Sequence, residues 1–396
     1  MKRFRIGFVP LVDAALPIVA REFGLAEREG VAIDLVRDPS WATVRDRLIY
    51  GQTDAAHLLA PLAIATVMGL DRPAVPLGAP FMLGLNGNTV TVSARVAALL
   101  GTSRDIAATG RGLAALARSQ ERRLRLAVVH RYSSHNYMLR YWLAASGCDP
   151  DRDVEIIVVP PPFVAEAFAL GEIDGSCVGE PWNSVAVERG DAVIVAATSQ
   201  IWSRGVEKLL AFRQSVLDER GDAVAALLRA LHAAGRLAAD PARHVELAGM
   251  LAAPEYLGQP AELILRALSG RLVLRQGDAP TPYEDFLVLH REAANFPWRS
   301  QAMWLYSQMV RWGHAPLSAA GFEAAAAVFR PDIYRGALAG TDAILPSASA
   351  KVEGAIAQPL GAGSLSGRLI LGPDRFFDAL PFDPDRALDY VAAQAR

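Results

Sequence analysis

"LGEIDGSCVGEP" (residues 170–181) repeats the frame of "YGQTDAAHLLAP" (residues 50–61). Gly51 answers to Gly171, Asp54 to Asp174 and Pro61 to Pro181, each pair 120 residues apart. The offset extends upstream, where "FRIGFVP" (4–10) matches "LRLAVVH" (124–130). The next apolar runs, "VAIDLV" (31–36) and "VEIIVV" (154–159), lie 123 apart, so a small slip falls between them. Each copy reads strand, helix, strand, helix, Gly-x-x-Asp turn, strand, which is a βαβαβ unit with a parallel sheet and crossover helices. The Gly of each turn follows a helical segment, where a left-handed C-cap costs little. The fold class is therefore α/β, with two similar lobes and a cleft between them. Ligands of such sheets bind at the carboxyl ends of the strands.

The chain is long enough for two cores, with 396 residues of which 52% are apolar. Residues 1–85 form the first part of lobe 1, residues 86–205 form lobe 2, and residues 206–396 return to lobe 1 and continue into a helical C-terminal extension. The extension carries an Ala/Leu-rich helical region (213–256), a Trp-rich helix (295–313), a Gly/Ser/Ala-rich loop (338–368) and a short helix opened by Asp383-Pro384-Asp385. It carries no recognisable chemistry, and the expectation is that it packs on lobe 1. Forty basic and 42 acidic residues give a net charge of −2 without long runs of either sign, which argues against direct nucleic-acid binding. No stretch has the roughly 18–20 uninterrupted apolar residues of a membrane span. The first residues have the look of a signal peptide, but Pro10, Asp13 and Pro17 interrupt the apolar run. Two cysteines make neither a disulfide framework nor a zinc site, so the expected location is the reducing cytoplasm. No cofactor and no metal is expected, for want of ligand clusters at the right spacing.

Gly175-Ser176-Cys177-Val178-Gly179 also fits G-x-C-x-G, the cysteine form of a nucleophile elbow. In an elbow the strand precedes the glycines. Here residues 175–178 are themselves the strand, and the turn follows at Gly179-Glu180-Pro181. Cys177 then occupies the place in lobe 2 that His57 holds in lobe 1, and both fill the lobe cores, so a cysteine hydrolase is disfavoured.

The turns after the strands carry the candidate binding groups. In "RDPSWATVRDRL" (37–48), Ser40 caps a helix and Trp41 lies in its first turn, facing either the cleft or a packing neighbour. In "LGLNGNTVTVS" (83–93), Asn86-Gly87-Asn88 is a turn before a strand; Asn88 either ends a hairpin or aims its amide at a ligand. In "HRYSSHNYMLRYWLAASG" (130–147), Ser133 or Ser134 caps a helix and His135 falls in its first turn, as a donor or as an exposed side chain without a role. Pro181 suits the first position of a helix with Glu180 near the cap, and Gly179 leaves room for a ligand at the backbone. Lys208 follows lobe 2 and is either a fixed positive charge in the cleft or a surface lysine. Indole, amide, imidazole and ammonium groups near helix N-termini suit a small oxyanion.

"DPSWATVRDRL", "DAAHLLAP", "NGNTVTVS", "RYWLAASGCDPDRDV", "GEPWN" and the final "FFDALPFDPD" resemble the nitrate/bicarbonate-binding proteins of ABC transporters over most of the chain. The resemblance implies a type II periplasmic-binding-protein fold, two lobes closing on one anion. It implies that Trp41, Asn88, His135, Gly179 and Lys208 hold that anion, and a Lys at the last position favours nitrate over bicarbonate. Transport members of the family carry a leader and a lipidated Cys ahead of the first strand, and here the sequence opens on the strand. In that respect it resembles the cytoplasmic NasS-type nitrate/nitrite sensors. That resemblance implies a partner, a NasT-type (ANTAR) RNA-binding antiterminator sequestered by the empty sensor and released by nitrate or nitrite. The other functions compatible with the residues are the binding component of a nitrate/bicarbonate transporter and an enzyme on the same fold, such as a thiamin-precursor synthase-like protein.

Overall fold

A computed structural model describes residues 1–101 and 105–394. Ten strands build two five-stranded sheets. Lobe 1 contains β1 (Lys2–Phe8), β2 (Val31–Arg37), β3 (Ala55–Leu59) and β4 (Leu77–Met82). Lobe 2 contains β5 (Asn88–Ser93), β6 (Leu124–Val128), β7 (Val154–Val158), β8 (Gly175–Gly179) and β9 (Ala192–Ala197). The last strand, β10 (Lys208–Arg213), returns to lobe 1. The strand orders are β2-β1-β3-β10-β4 and β9-β5-β8-β6-β7. Each sheet thus receives one antiparallel strand, β10 or β5, from across the cleft.

The repeat is visible in the sheet register. Ile6 pairs with Ala55 and Gly7 with Ala56, while Leu126 pairs with Gly175 and Ala127 with Ser176. Gly51 and Gly171 both have positive φ, 75° and 68°, just past the ends of helices Trp41–Ile49 and Val164–Ala169. The Asp three residues on clamps the first strand in both lobes. Asp54 Oδ2 accepts from Arg5 N at 2.8 Å, and Asp174 Oδ2 from Arg125 N at 2.9 Å. One expectation shifts: Phe4 pairs with Ile33 and Leu124 with Val154, so the slip between the copies is one residue, smaller than the apolar runs suggest. The offset also reaches the crossing strands, because Asn88 opens β5 opposite Gly179 and Lys208 opens β10 opposite Leu59.

The two crossings, Met82 to Asn88 and Ala197 to Lys208, are tied together by Asn86. Its φ is 62°, its Nδ2 donates to Ser203 O at 2.9 Å and to Asp285 O at 3.0 Å, and its Oδ1 accepts from Gly205 N at 3.0 Å. A short polar side chain tolerates this left-handed backbone and satisfies the buried groups of the crossing segments.

In the C-terminal part, helix Gly221–Ala238 packs against helix Ala15–Glu22 of lobe 1. This part also reaches lobe 2, which the sequence pattern did not indicate. Helix Arg299–Arg311 packs on both Ala60–Met68 and Ser134–Ala145. Tyr141 donates to Asp378 Oδ1 at 2.6 Å, and the Trp304 and Phe376 rings stack at 5.2 Å. The region expected as loop, 338–368, contains short paired strands, among them Leu345–Pro346 with Ser364–Ser366. Among the described residues, no helix is long and apolar enough to cross a membrane.

A buried polar site between the lobes

Each expected site residue sits where the local sequence puts it. Ser40 caps helix Trp41–Ile49 by accepting from Thr43 N at 3.2 Å, which turns the Trp41 ring inward to full burial. Ser133 caps helix Ser134–Ala145 through Asn136 N at 3.0 Å, placing His135 in its first turn, also fully buried. Gly179 closes β8 beside Asn88; a Cβ there would stand 3.1 Å from Leu11 Cδ2 and 3.2 Å from Asn88 Oδ1.

Lys208 is the centre of the cluster and is completely buried. Its Nζ donates to Asn88 Oδ1 at 3.1 Å, lies 3.5 Å from His135 Nε2, and stands 5.9 Å from the centroid of the Trp41 ring. The structure therefore brings together Trp41, Asn88, His135 and Lys208, with Gly179 against Asn88.

Three acidic or basic partners were not singled out from sequence. Asp13 Oδ2 lies 2.6 Å from Lys208 Nζ, and Glu207 Oε2 lies 3.0 Å from it. His57 Nε2 meets Asp13 Oδ1 at 2.9 Å and its ring tilts against Trp41 at 5.0 Å. His57 is thus a core residue, as expected, that also forms the floor of the polar cluster. Asp13 had a signal, since it is the one charged residue in the run of residues 6–20.

Burial raises the Asp13 carboxyl, but the Lys208 ammonium and His57 outweigh it and hold Asp13 well below the usual carboxylate range. Burial opposes the Lys208 ammonium as well, and Asp13 and Glu207 more than compensate, raising it. Glu207 is raised by burial, with Lys208 and Ser134 working against the rise. His57 and His135 are both lowered, first by burial, which favours the neutral rings.

Donor logic then fixes the tautomers. The Asp13 carboxylate only accepts, so the His57 proton sits on Nε2. The three Lys208 N–H groups go to Asp13, Glu207 and Asn88, but the ammonium 3.5 Å from His135 Nε2 favours a lone pair there and the proton on Nδ1. Within this cluster, among the described residues, three buried N–H donors have no hydrogen-bond partner: Trp41 Nε1, Asn88 Nδ2 and His135 Nδ1. Buried donors are rarely left unpaired in folded proteins. Unpaired donors in one cluster with an ammonium suit an oxyanion, whose lone pairs only accept.

The lobes are shut over this cluster. Val12 N donates to Glu180 O at 2.9 Å, Trp182 Nε1 to Pro10 O at 2.9 Å, and Ser134 Oγ to Glu207 Oε2 at 2.6 Å. The helix after Gly179 spans Trp182–Glu188 with Pro181 at its N-cap, one position earlier in the cap than expected. Glu180 is a side-chain cap for that helix, accepting from Ser184 N at 3.1 Å; burial pushes its carboxyl up to about 7. Cys177 lies within β8, fully buried, with its thiol pushed up by burial, the setting of a core cysteine and not of an exposed elbow.

Comparison with known proteins agrees with this architecture. The profile of the NMT1-like family matches residues 1–252. The nitrate import ATP-binding protein NrtC of Synechococcus elongatus is 32% identical over 98% of this chain and 55% of its own length. This chain thus spans about half the length of that relative. The nitrate/nitrite binding protein NrtA of the same organism is 29% identical over 99% of this chain and 86% of its own. The crystal structure of the periplasmic nitrate-binding protein NrtA from Synechocystis superposes with a TM-score of 0.87 at 25% identity, covering 100% of this chain and 99% of that one.

Proposed function

From the premise that this chain belongs to the NMT1-like family, with the nitrate/bicarbonate substrate-binding proteins of ABC transporters, we propose that it is a cytoplasmic nitrate/nitrite sensor. It is a binding protein without catalysis. One anion bridges the lobes: Trp41 Nε1, Asn88 Nδ2 and His135 Nδ1 donate to its oxygens, Lys208 supplies charge, and Gly179 keeps side-chain atoms out of the space beside Asn88. The observation that carries this is the set of three unpartnered buried donors beside the Lys208 ammonium. The anion holds the closed lobes, and a NasT-type antiterminator prefers the open, empty protein. Linkage requires nitrate to weaken partner binding by the factor by which the partner weakens nitrate binding.

Titrating nitrate by calorimetry with and without the antiterminator tests this. Weaker nitrate binding in the presence of the partner is expected, and equal affinity removes the sensor role. The names of the relatives favour a second reading, an anion-binding part of a nitrate importer. That reading predicts that the nitrate-loaded chain stimulates the ATPase of importer membrane components and ignores the antiterminator.

A further inference from the structure

Lys208 faces the site with its charge already committed. Its Nζ lies 2.6 Å from Asp13 and 3.0 Å from Glu207, and all three side chains are buried. The other titratable groups packed around it are His57 on β3, His135 on helix Ser134–Ala145, and Cys177 on β8, which faces Glu207. Trp41, Asn88 and Ser134 complete the surroundings and are uncharged. With both carboxylates ionised, this buried cluster carries one net negative charge before any anion arrives. A monoanion would bring a second negative charge, with no further cation in contact with the cluster among the described residues, and buried uncompensated charge is strongly disfavoured.

We propose that anion binding at Lys208 takes up one proton from solution, and that Glu207 Oε1 receives it. Both Asp13 oxygens are engaged, Oδ1 by His57 and Oδ2 by Lys208. Glu207 concentrates its contacts on Oε2, which accepts from Ser134 and Lys208, while buried Oε1 has no partner. His57 Nδ1 is the other unpartnered acceptor, but a proton there would place an imidazolium near the Lys208 ammonium. The balance is simple: the anion adds one negative charge, a buffer acid gives one proton to the carboxylate, and the buried net charge is unchanged. Neutral Glu207 no longer competes for Lys208, whose ammonium turns to the anion. The site then takes a small oxyanion together with a proton.

This inference rests on the anion reading above, and its test separates the two. Sodium nitrate and sodium nitrite are titrated by calorimetry in two buffers of different ionisation enthalpy, between about pH 6 and about pH 9. Proton uptake is expected to rise with pH toward about one per anion, with affinity weakening up to roughly tenfold per pH unit at the alkaline end. Glu207→Gln should flatten that pH profile and abolish the uptake. Binding with the same heat in both buffers at every pH overturns the inference and leaves the anion site standing. Uptake that persists in Glu207→Gln overturns the assignment to Glu207. Should that variant not fold, the two-buffer measurement on the unaltered chain decides alone. Absence of binding at any pH overturns the anion reading and the inference with it.

Discussion

Replacing Lys208 with Met removes a buried cation while keeping most of the side-chain volume. Asp13 loses its contact at 2.6 Å and Glu207 its contact at 3.0 Å. Removing one partner of a buried ion pair costs about 3–5 kcal/mol, because it strands the other charge. Here Asp13 keeps His57 and Glu207 keeps Ser134, and both carboxylates accept protons readily once the ammonium is gone. The lower end of that range, about 3 kcal/mol, applies near neutral pH. The pH dependence has a definite sign. In the unaltered chain Asp13 is depressed, so its contribution is present above the unfolded value of 3.8 and is lost as pH falls. In Lys208→Met the lowering by the ammonium is gone and burial is expected to raise both carboxyls, so the folded state should hold protons that the unfolded chain has released, and stability should fall as pH rises. The deficit of the variant therefore widens from about pH 5 to about pH 8. Urea unfolding followed by tryptophan fluorescence at both pH values, with and without nitrate, measures it. Nitrate should raise the unfolding midpoint of the unaltered chain and leave that of the variant unmoved. A variant as stable as the parent at both pH values, or a deficit that is larger in acid, refutes the charge argument.

Three other perturbations probe separate parts of the cluster. Trp41→Phe deletes the indole N–H and keeps a ring; a lost hydrogen bond of about 1 kcal/mol predicts roughly fivefold weaker nitrate binding by calorimetry with little change in stability. Gly179→Ala puts a methyl 3.1 Å from Leu11 and 3.2 Å from Asn88 Oδ1, so it should wedge the lobes, weakening nitrate binding tenfold or more at about 1–3 kcal/mol of overpacking; unchanged affinity would show that the lobes close elsewhere. Glu180 is raised from 4.5 to about 7, so the folded state binds a proton the unfolded chain has released between those values. Stability should fall by about 3 kcal/mol over that window and level off above it, and Glu180→Gln should remove this part of the slope in urea melts.

The fold was legible because a repeat imposes two constraints at once. Gly51 and Gly171 end equivalent helices, and Asp54 and Asp174 clamp equivalent first strands, so the 120-residue offset carried register as well as element type. The first helical turns were legible too, through Ser40 and Ser133, and they place Trp41 and His135. Asn86 and Asn88 look alike in a turn signal, yet Asn86 ties the crossing segments and Asn88 meets Lys208. Only strand parity and the crossing separate them. The carboxylates were hidden for a different reason. Asp13 lies on a turn in an apolar run and Glu207 is the sequence neighbour of Lys208, and neither spacing records that both converge on one ammonium. The extension's grip on lobe 2 was equally hidden, since Tyr141 and Asp378 meet across 237 positions of sequence.

A crystal structure of the chain grown with sodium nitrate addresses the central claim most directly. One nitrate between the lobes, its oxygens within hydrogen-bond distance of Trp41 Nε1, Asn88 Nδ2, His135 Nδ1 and Lys208 Nζ, is the predicted result. Lobes shut as they are here with those donors still unpaired, or nitrate bound away from Lys208, would contradict it.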